Sequence, residues 1–211
     1  MDGMGEWGRL LLLSRFGIEE VKTKLNIINE EYEFLHDYNP IEHIYTRIKK
    51  PQQIIAKLER MGVEPNAVNA YKHLHDVGGV RVVCSFARDV YTIAEQLKAQ
   101  RDITVLNVKD YIQNPKPNGY RSLHLIVEVP VFLTDHVSPV TVEIQLRSVS
   151  MDLWASIEHK IYYKSGVALP AELSAELTDC AEELARMDTR LARIQDEIKW
   201  VMATEKEEQD G

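Results

Sequence analysis

The 211-residue sequence has little cysteine, no long apolar run and no excess of positive charge. Its two cysteines, Cys84 and Cys180, are far apart, which excludes a disulfide scaffold and gives no spacing for a zinc site or a redox pair. Such sparse thiols are expected to be reduced, so a cytoplasmic location is expected. No segment approaches the roughly 20 apolar residues of a membrane span. The short run at residues 10–13 follows an acidic, glycine-rich start, which makes a poor signal peptide.

The deficit of positive charge is concentrated at one end of the chain. The 25 basic and 33 acidic side chains give a net charge of −8, and residues 171–211 contribute −7 of it with five basic and 12 acidic side chains. The rest is near neutral and contains a basic cluster. Its members are Arg47, Lys49, Lys50, Lys57 and Arg60. Such a cluster is typical of a solvated helix face and also of a local phosphate site, and composition leaves both open.

Several nucleotide and hydrolase motifs are missing. No GxxxxGK[ST] pattern is present, which excludes a P-loop enzyme, and no GxSxG elbow supports a hydrolase triad. The GxGxxG match at residues 3–8 follows no strand and is attributed to chance. The His-Asp pairs at 36–37 and 75–76 have no further metal ligands at a suitable spacing, which disfavours a metal phosphohydrolase.

Hydrophobic periodicity predicts an α+β fold, in which a mixed β-sheet is flanked by helices and the terminal helices are amphipathic. Helices are predicted over 17–36, 88–100 and 148–163, and Pro40 is predicted to open another helix through the basic cluster. Strands are predicted near 77–86, 103–109, 120–129 and 139–147. We expect an N-terminal extension over 1–16, a central domain over 17–165 and a C-terminal helix with an acidic tail over 166–211.

Polar side chains share one face of the predicted strands. On 139–147, alternation separates four apolar positions from Thr141, Glu143, Gln145 and Arg147. The other strands contribute Asp76, Arg81, Ser85, Tyr120, Ser122, His124 and Glu128. A solvated antiparallel sheet face also alternates in this way. The mixture of carboxylates, cations and a tyrosine beside the loop at 114–119 favours a site for a charged ligand.

The two carboxylates Asp76 and Glu143 indicate a class of chemistry. Carboxylates, waters and substrate phosphates are the usual ligands of Mg²⁺. Nearby Arg and Lys would neutralise a polyphosphate, and an exposed Tyr could stack on a base. The residues alone therefore predict magnesium-dependent transfer on nucleotides.

Five segments resemble a known family. Residues 40–49, 75–81, 115–124, 142–148 and 154–159 are similar, in this order, to the motifs of RelA/SpoT-type (p)ppGpp synthetases. The similarity covers about residues 20–165. In its length, and because it has no hydrolase or C-terminal regulatory domain, the sequence resembles the small, stand-alone, RelQ-like alarmone synthetases.

The resemblance implies a nucleotidyltransferase-like synthetase domain that transfers the pyrophosphate of ATP to the ribose 3′-hydroxyl of GDP or GTP and releases AMP. It implies that Asp76 and Glu143 hold Mg²⁺, and that Glu143 also accepts or orients the hydroxyl proton. The implied ATP-binding residues are Arg47, Lys49, Lys57 and Arg81, with the two arginines on either side of the adenine. The implied GDP- or GTP-binding residues are Lys116, Asn118, Tyr120, His124, Gln145 and Arg147.

The C-terminal segment has its own pattern. From Leu173 to Val201, apolar residues follow alternating steps of four and three, which is a heptad seam that favours helix–helix pairing. The family resemblance implies a homotetramer. Single-stranded RNA is left open as a partner, and no membrane or DNA partner is expected.

Two other functions remain open from the sequence. One is a related pyrophosphokinase that uses another acceptor, such as tRNA or an adenine nucleotide. The other is a non-catalytic regulator that binds nucleotide or RNA through the same cleft. The intact pair Asp76 and Glu143 disfavours the regulator, and the loop from Lys116 to Tyr120 disfavours another acceptor.

Overall fold

The computed structural model describes residues 3–165 and 170–210. In chain order the elements are α1 (Gly3–His36), β1 (Ile41–Ile48), α2 (Pro51–Arg60), α3 (Ala67–His73), β2 (Gly78–Cys84), α4 (Ala87–Lys98), β3 (Thr104–Asp110), β4 (Leu123–Phe132), β5 (Val137–Ser148), α5 (Val149–Ser165) and α6 (Ala171–Asp210). The strands form one sheet in the order β1-β2-β5-β4-β3. The β2–β5 pair is parallel and the other pairs are antiparallel, which confirms the predicted mixed sheet and α+β fold.

The core lies on one face of this sheet. The apolar positions of β5, Val140, Val142, Ile144 and Leu146, are at most 3% exposed, as strand parity predicts. They pack with matching positions of β2 and β4 against α1 and α4. Since α1 and α4 cover this face, the opposite face of β1, β2 and β5 is left for polar side chains.

The N-terminal helix is longer than the periodicity predicts. The predicted helix starts at residue 17, whereas α1 starts at Gly3. Leu10 and Ser14 are buried, and Leu10 packs with Ile54 and Leu58 of α2 in a second small core. Contacts with α2 and α3 in this core therefore stabilise the part of α1 before residue 17, which a local pattern does not reveal.

The helix predicted to open at Pro40 is wrong. The segment that follows Pro40 is strand β1, which pairs with β2 along its whole length, from Ile41 to Ile48. The next helix, α2, begins instead at Pro51, where proline occupies the first helical position. The basic cluster is consequently divided, with Arg47 on β1, Lys49 and Lys50 in the connection, and the others on α2.

The last helix packs on the domain through only part of its surface. Ala181 and Asp188 are buried, whereas the seam residues Leu191, Ile194 and Ile198 are 44–54% exposed. Within residues 3–165 and 170–210, no helix combines the length and apolar character needed to cross a bilayer.

Candidate active site

A cleft of about 570 Å³ opens on the polar face of the sheet over β1, β2 and β5. Strand register explains its composition. Tyr45 lies opposite Arg81 across β1–β2, and Arg81 lies opposite Gln145 across β2–β5. Gly79 is paired with Arg47 on one side and with Glu143 on the other, and it adds no side chain between them. Of the predicted site residues, this cleft brings together Arg47, Lys49, Asp76, Arg81, Glu143 and Gln145.

Asp76 is held between two lysines at one end of the cleft. Its Oδ2 accepts hydrogen bonds from Nζ of Lys49 and Nζ of Lys57, both at 2.6 Å. Burial opposes ionisation of Asp76, but these two ammonium groups outweigh it and lower the pKa of the carboxyl. Lys57 lies on α2 and is connected to the site by this hydrogen bond to Asp76. Lys49 lines the cleft, whereas Lys57 is not among the residues that line it.

The second oxygen of Asp76 is unusual. Oδ1 is buried and has no hydrogen-bond partner among the described residues. An ionised oxygen without a partner is costly to bury. Its setting in the cleft therefore fits an oxygen that meets a cation or a donor on a bound ligand.

Glu143 lies midway along β5 and is fixed by its neighbours. Its Oε1 is 3.2 Å from Nδ1 of His124, and its Oε2 accepts a hydrogen bond from Nε2 of Gln145 at 3.0 Å. Burial opposes ionisation, and the nearby charge of Asp76 also raises the pKa. The contacts with His124 and Gln145 outweigh both effects, so the pKa of Glu143 is lowered. Two ionised carboxylates consequently face the same cleft.

The two arginines of the cleft have different contacts. The Arg81 guanidinium lies over the Tyr45 ring, with Cζ 4.8 Å from the ring centroid. Arg47, two residues after Tyr45 on the same face of β1, donates to Oε1 of Gln53 at 3.1 Å. Both arginines can present a flat guanidinium surface to an aromatic base. Tyr45 was not among the predicted site residues, although its position two residues before Arg47 places it on the same strand face.

The predicted acceptor residues form a second group beside the cleft. The Tyr120 hydroxyl lies 2.8 Å from Nε2 of His124 and accepts a hydrogen bond from Nη2 of Arg147 at 2.9 Å. The same Nη2 donates to Oε1 of Gln145 at 3.1 Å. Nζ of Lys116 lies 4.8 Å from the Tyr120 centroid. One network therefore joins this group to Glu143 through His124.

Two features of the acceptor group differ from the sequence-based picture. An exposed tyrosine was expected to stack on a base, but the ring of Tyr120 is half-buried against Trp154, Ala155 and Ala181. Strand parity placed Arg147 on the polar face of the sheet, and there it is only 7% exposed. Residues of α5 and α6 cover Tyr120, and Asp152 of α5 contacts Arg147, which strand parity does not reveal.

Asn118 is the predicted residue that points toward the helices. Its Nδ2 donates to Oε1 of Glu158 at 3.1 Å, and its Oδ1 accepts from the Tyr120 backbone N–H at 3.2 Å. These two hydrogen bonds of Asn118 stabilise the loop before Tyr120. Other contributors that the sequence did not single out are Tyr111, under Lys116, and Asp152, which holds Arg147.

Comparison with known proteins agrees with this geometry. Residues 46–168 match the family model described as a region found in RelA/SpoT proteins. GTP pyrophosphokinase YwaC of Bacillus subtilis (strain 168) is 46% identical over 195 residues, which cover 92% of this chain and 93% of the relative.

Two solved structures have the same fold. Both are of the small alarmone synthetase 1 from Bacillus subtilis. The one bound to its product pppGpp has a TM-score of 0.82 and 34% identity, and covers 91% of this chain and 97% of its own. The one bound to AMPCPP has a TM-score of 0.76 and 32% identity, and covers 92% and 98%.

The fold and the cleft define an α+β protein with a charged cleft on the polar face of a mixed sheet. The matches identify it further, since the chain belongs to the RelA/SpoT family. Within that family it is similar over nearly its whole length to small alarmone synthetases, as the sequence motifs predicted.

Proposed function

We propose that this protein is a GTP pyrophosphokinase that transfers the pyrophosphate of ATP to the ribose 3′-hydroxyl of GDP or GTP and releases AMP. The observation that carries the proposal is the cleft that Asp76 and Glu143 line together with Arg47, Lys49 and Arg81. Positioned cations and carboxylates supply most of what phosphoryl-type transfer requires of a protein. The similarity to a GTP pyrophosphokinase supports the same reaction.

ATP is assigned to the cleft over β1 and β2. Arg47 and Arg81 lie near each other on neighbouring strands and would bind the two faces of the adenine. Lys49 and Lys57, which contact Asp76, would also bind the phosphates electrostatically. The protein would thereby hold the donor with its phosphates directed toward Asp76 and Glu143.

The residues present fit Mg²⁺. This ion is usually held by one or two carboxylates together with waters and substrate phosphates. The unpartnered Oδ1 of Asp76 and the carboxylate of Glu143 meet that description. No cluster of three or more His, Cys, Asp or Glu side chains suited to a metal occurs among the described residues, which fits an ion completed by the substrate. When bound, Mg²⁺ would offset charge on the phosphates.

The guanine nucleotide is assigned to the group around Tyr120. Its ring would stack on the base, with Lys116 and Asn118 beside it, and His124, Gln145 and Arg147 would line the ribose and phosphate side. Glu143 would accept or orient the proton of the 3′-hydroxyl. Its lowered pKa keeps it ionised for this role, and His124 and Gln145 hold both of its oxygens in place.

The test is direct. Purified protein is incubated with Mg²⁺, ATP labelled in its β-phosphate, and GDP, GTP or tRNA separately, and the products are resolved. We expect AMP together with a guanosine nucleotide that carries a labelled 3′-pyrophosphate. Label on tRNA, with none on either guanine nucleotide, would show that tRNA is the acceptor instead. No transfer to any acceptor would contradict the proposed pyrophosphokinase activity.

We further propose a cytoplasmic homotetramer. The exposed seam of α6 supports assembly through helix pairing, because a single chain leaves Leu191, Ile194 and Ile198 open to water. The divisions at residues 16 and 165 stay predictions, as do single-stranded RNA as a partner and the exclusion of DNA and membranes.

A further inference from the structure

One carboxylate joins the two halves of the site. Asp152 lies in the first turn of α5, and its Oδ1 accepts a hydrogen bond from Nη1 of Arg147 at 2.8 Å. The same oxygen lies 3.4 Å from Nη1 of Arg81. The side chains of Arg147 and Asp152 are only 8% and 17% exposed, so water screens this contact less than it screens a surface ion pair.

The two arginines belong to different subsites. Arg81 lines the cleft assigned to ATP and stacks on Tyr45. Arg147 donates to the hydroxyl of Tyr120, on which the guanine is assigned to stack. Asp152 is therefore the carboxylate that contacts an arginine of the donor side and an arginine of the acceptor side.

Strand register makes such a contact necessary. Arg81 pairs with Gln145 across the parallel β2–β5 ladder, and Arg147 follows Gln145 by two residues on the same face. Two guanidinium ions at such neighbouring positions repel each other. A carboxylate that contacts both offsets the repulsion and links the orientation of one arginine to that of the other.

We propose that Asp152 is a positioning residue that couples binding of ATP to binding of the guanine nucleotide. The inference rests on the proposed function and adds a property to it. A guanine nucleotide that orders Tyr120 also orders Arg147 and, through Asp152, Arg81. The nucleotide that binds second meets a site that is already ordered, so each nucleotide tightens the binding of the other by the same factor.

A purely structural role for Asp152 predicts something different. An acidic side chain in the first turn of a helix is stabilised by the helix dipole without any arginine. Loss of such a residue lowers the stability of the fold and weakens the binding of both nucleotides. It leaves the effect of each nucleotide on the affinity of the other unchanged. The coupling factor is therefore the quantity that separates the two roles.

Calorimetric titration can measure this factor without turnover. AMPCPP is titrated into the full-length protein with Mg²⁺, in the absence and in the presence of saturating GDP. In the wild type we expect GDP to tighten AMPCPP binding by about fivefold or more, within the usual range of coupling between sites. In Asp152→Asn the factor should fall to near one, because a neutral amide cannot compensate two guanidinium charges.

Two further variants complete the experiment. Asp135→Asn makes the same change of charge at a side chain that is 79% exposed, in the connection between β4 and β5, and should keep the wild-type factor. Asp152→Glu retains the charge and should recover part of the factor. Thermal unfolding shows whether each variant is folded.

The outcomes are distinct. A wild-type factor of one, or a factor retained in Asp152→Asn, overturns the coupling role. A wild type that makes product but shows no coupling overturns this inference alone. A wild type that makes no product from ATP and either guanine nucleotide overturns the proposed function.

Discussion

At the scale of single residues, the proposed chemistry depends on two carboxylates that remain ionised although they are partly buried. Lys49 and Lys57 keep Asp76 charged, and His124 and Gln145 keep Glu143 charged. Their lowered pKa values make protonation of either group negligible near neutral pH. The proposed contribution of each negative charge to holding Mg²⁺ can therefore be tested by neutral, isosteric substitutions.

We expect Asp76→Asn and Glu143→Gln each to slow turnover by roughly a thousandfold or more, because each loses several kcal/mol of transition-state stabilisation. Steady-state release of AMP measures the effect. Both variants should fold, because both side chains border the open cleft rather than the apolar core, and Asp135→Asn is the charge-matched control. A near-normal rate in either variant would refute the two-carboxylate assignment.

Tyr120 combines a ring and a hydroxyl that have separate tasks. Tyr120→Ala should weaken GDP or GTP affinity by about five- to a hundredfold, since stacking of a base on an aromatic ring contributes roughly 1–3 kcal/mol. Tyr120→Phe keeps the ring and should retain most of that affinity, although it loses the contacts with His124 and Arg147. Calorimetry with GDP measures both variants.

AMPCPP binding in the absence of guanine nucleotide is the internal control for Tyr120, and it should change little. An equal loss of affinity for both nucleotides, together with a lower melting temperature, would show that Tyr120 only packs the loop. The acceptor assignment would then be wrong.

At the scale of elements, the loop before β4 is held in place by α6. Gly119 has a φ of +86°, and a Cβ at this position would lie 2.7 Å from Cβ of Ala181 and 3.5 Å from Cα of Thr178. On the other side, Nε1 of Trp154 donates to the Leu177 carbonyl at 2.9 Å and ties α5 to the same stretch of α6. The loop conformation that presents Tyr120 thus requires glycine for two reasons.

Gly119→Ala should therefore destabilise the fold by about 1–3 kcal/mol and raise the KM for GDP more than the KM for ATP. Thermal unfolding and steady-state kinetics measure these effects. Gly8→Ala is the matched control. Gly8 lies in α1 with nothing within 4 Å of the added methyl, so alanine there should stabilise by about 0.5–1 kcal/mol. Unchanged stability and KM in Gly119→Ala would mean that α6 does not constrain the loop.

At the scale of the whole molecule, α6 has two surfaces that differ in their exposure to solvent. Residues such as Ala181 and Asp188 are buried against the domain, while the seam at Leu191, Ile194 and Ile198 is exposed in the single chain. An apolar stripe of this length on a helix is typical of association. The same helix would therefore brace the acceptor loop and join the subunits.

Ile194→Asp should dissociate the assembly, because a charge is costly to bury in an apolar seam. Light scattering coupled to size-exclusion chromatography measures the mass, which we expect to be that of a tetramer for the wild type. Thr189→Asp adds the same charge at an exposed polar position of α6 and should leave the mass unchanged. A monomeric wild type, or an Ile194→Asp variant of unchanged mass, would contradict assembly through the seam.

The sequence by itself determined which residues share a strand face and which motifs the chain carries. Alternation with a period of two is a local property, so the buried set from Val140 to Leu146 and the polar position of Glu143 followed directly. The five ordered motifs identified the family for the same reason, since residue types and spacing are visible along the chain.

The tertiary structure alone decided what the polar residues meet. Pairing with β2 made a strand of the segment after Pro40, where local pattern indicated a helix, and packing against α2 and α3 stabilised the part of α1 before residue 17. The burial of Arg147, the covering of Tyr120 by α5 and α6, and the bridge from Asp152 to two arginines also depend on partners distant in the chain. Strand order and helix docking bring such partners together, and their free energies are not encoded in any short window of sequence.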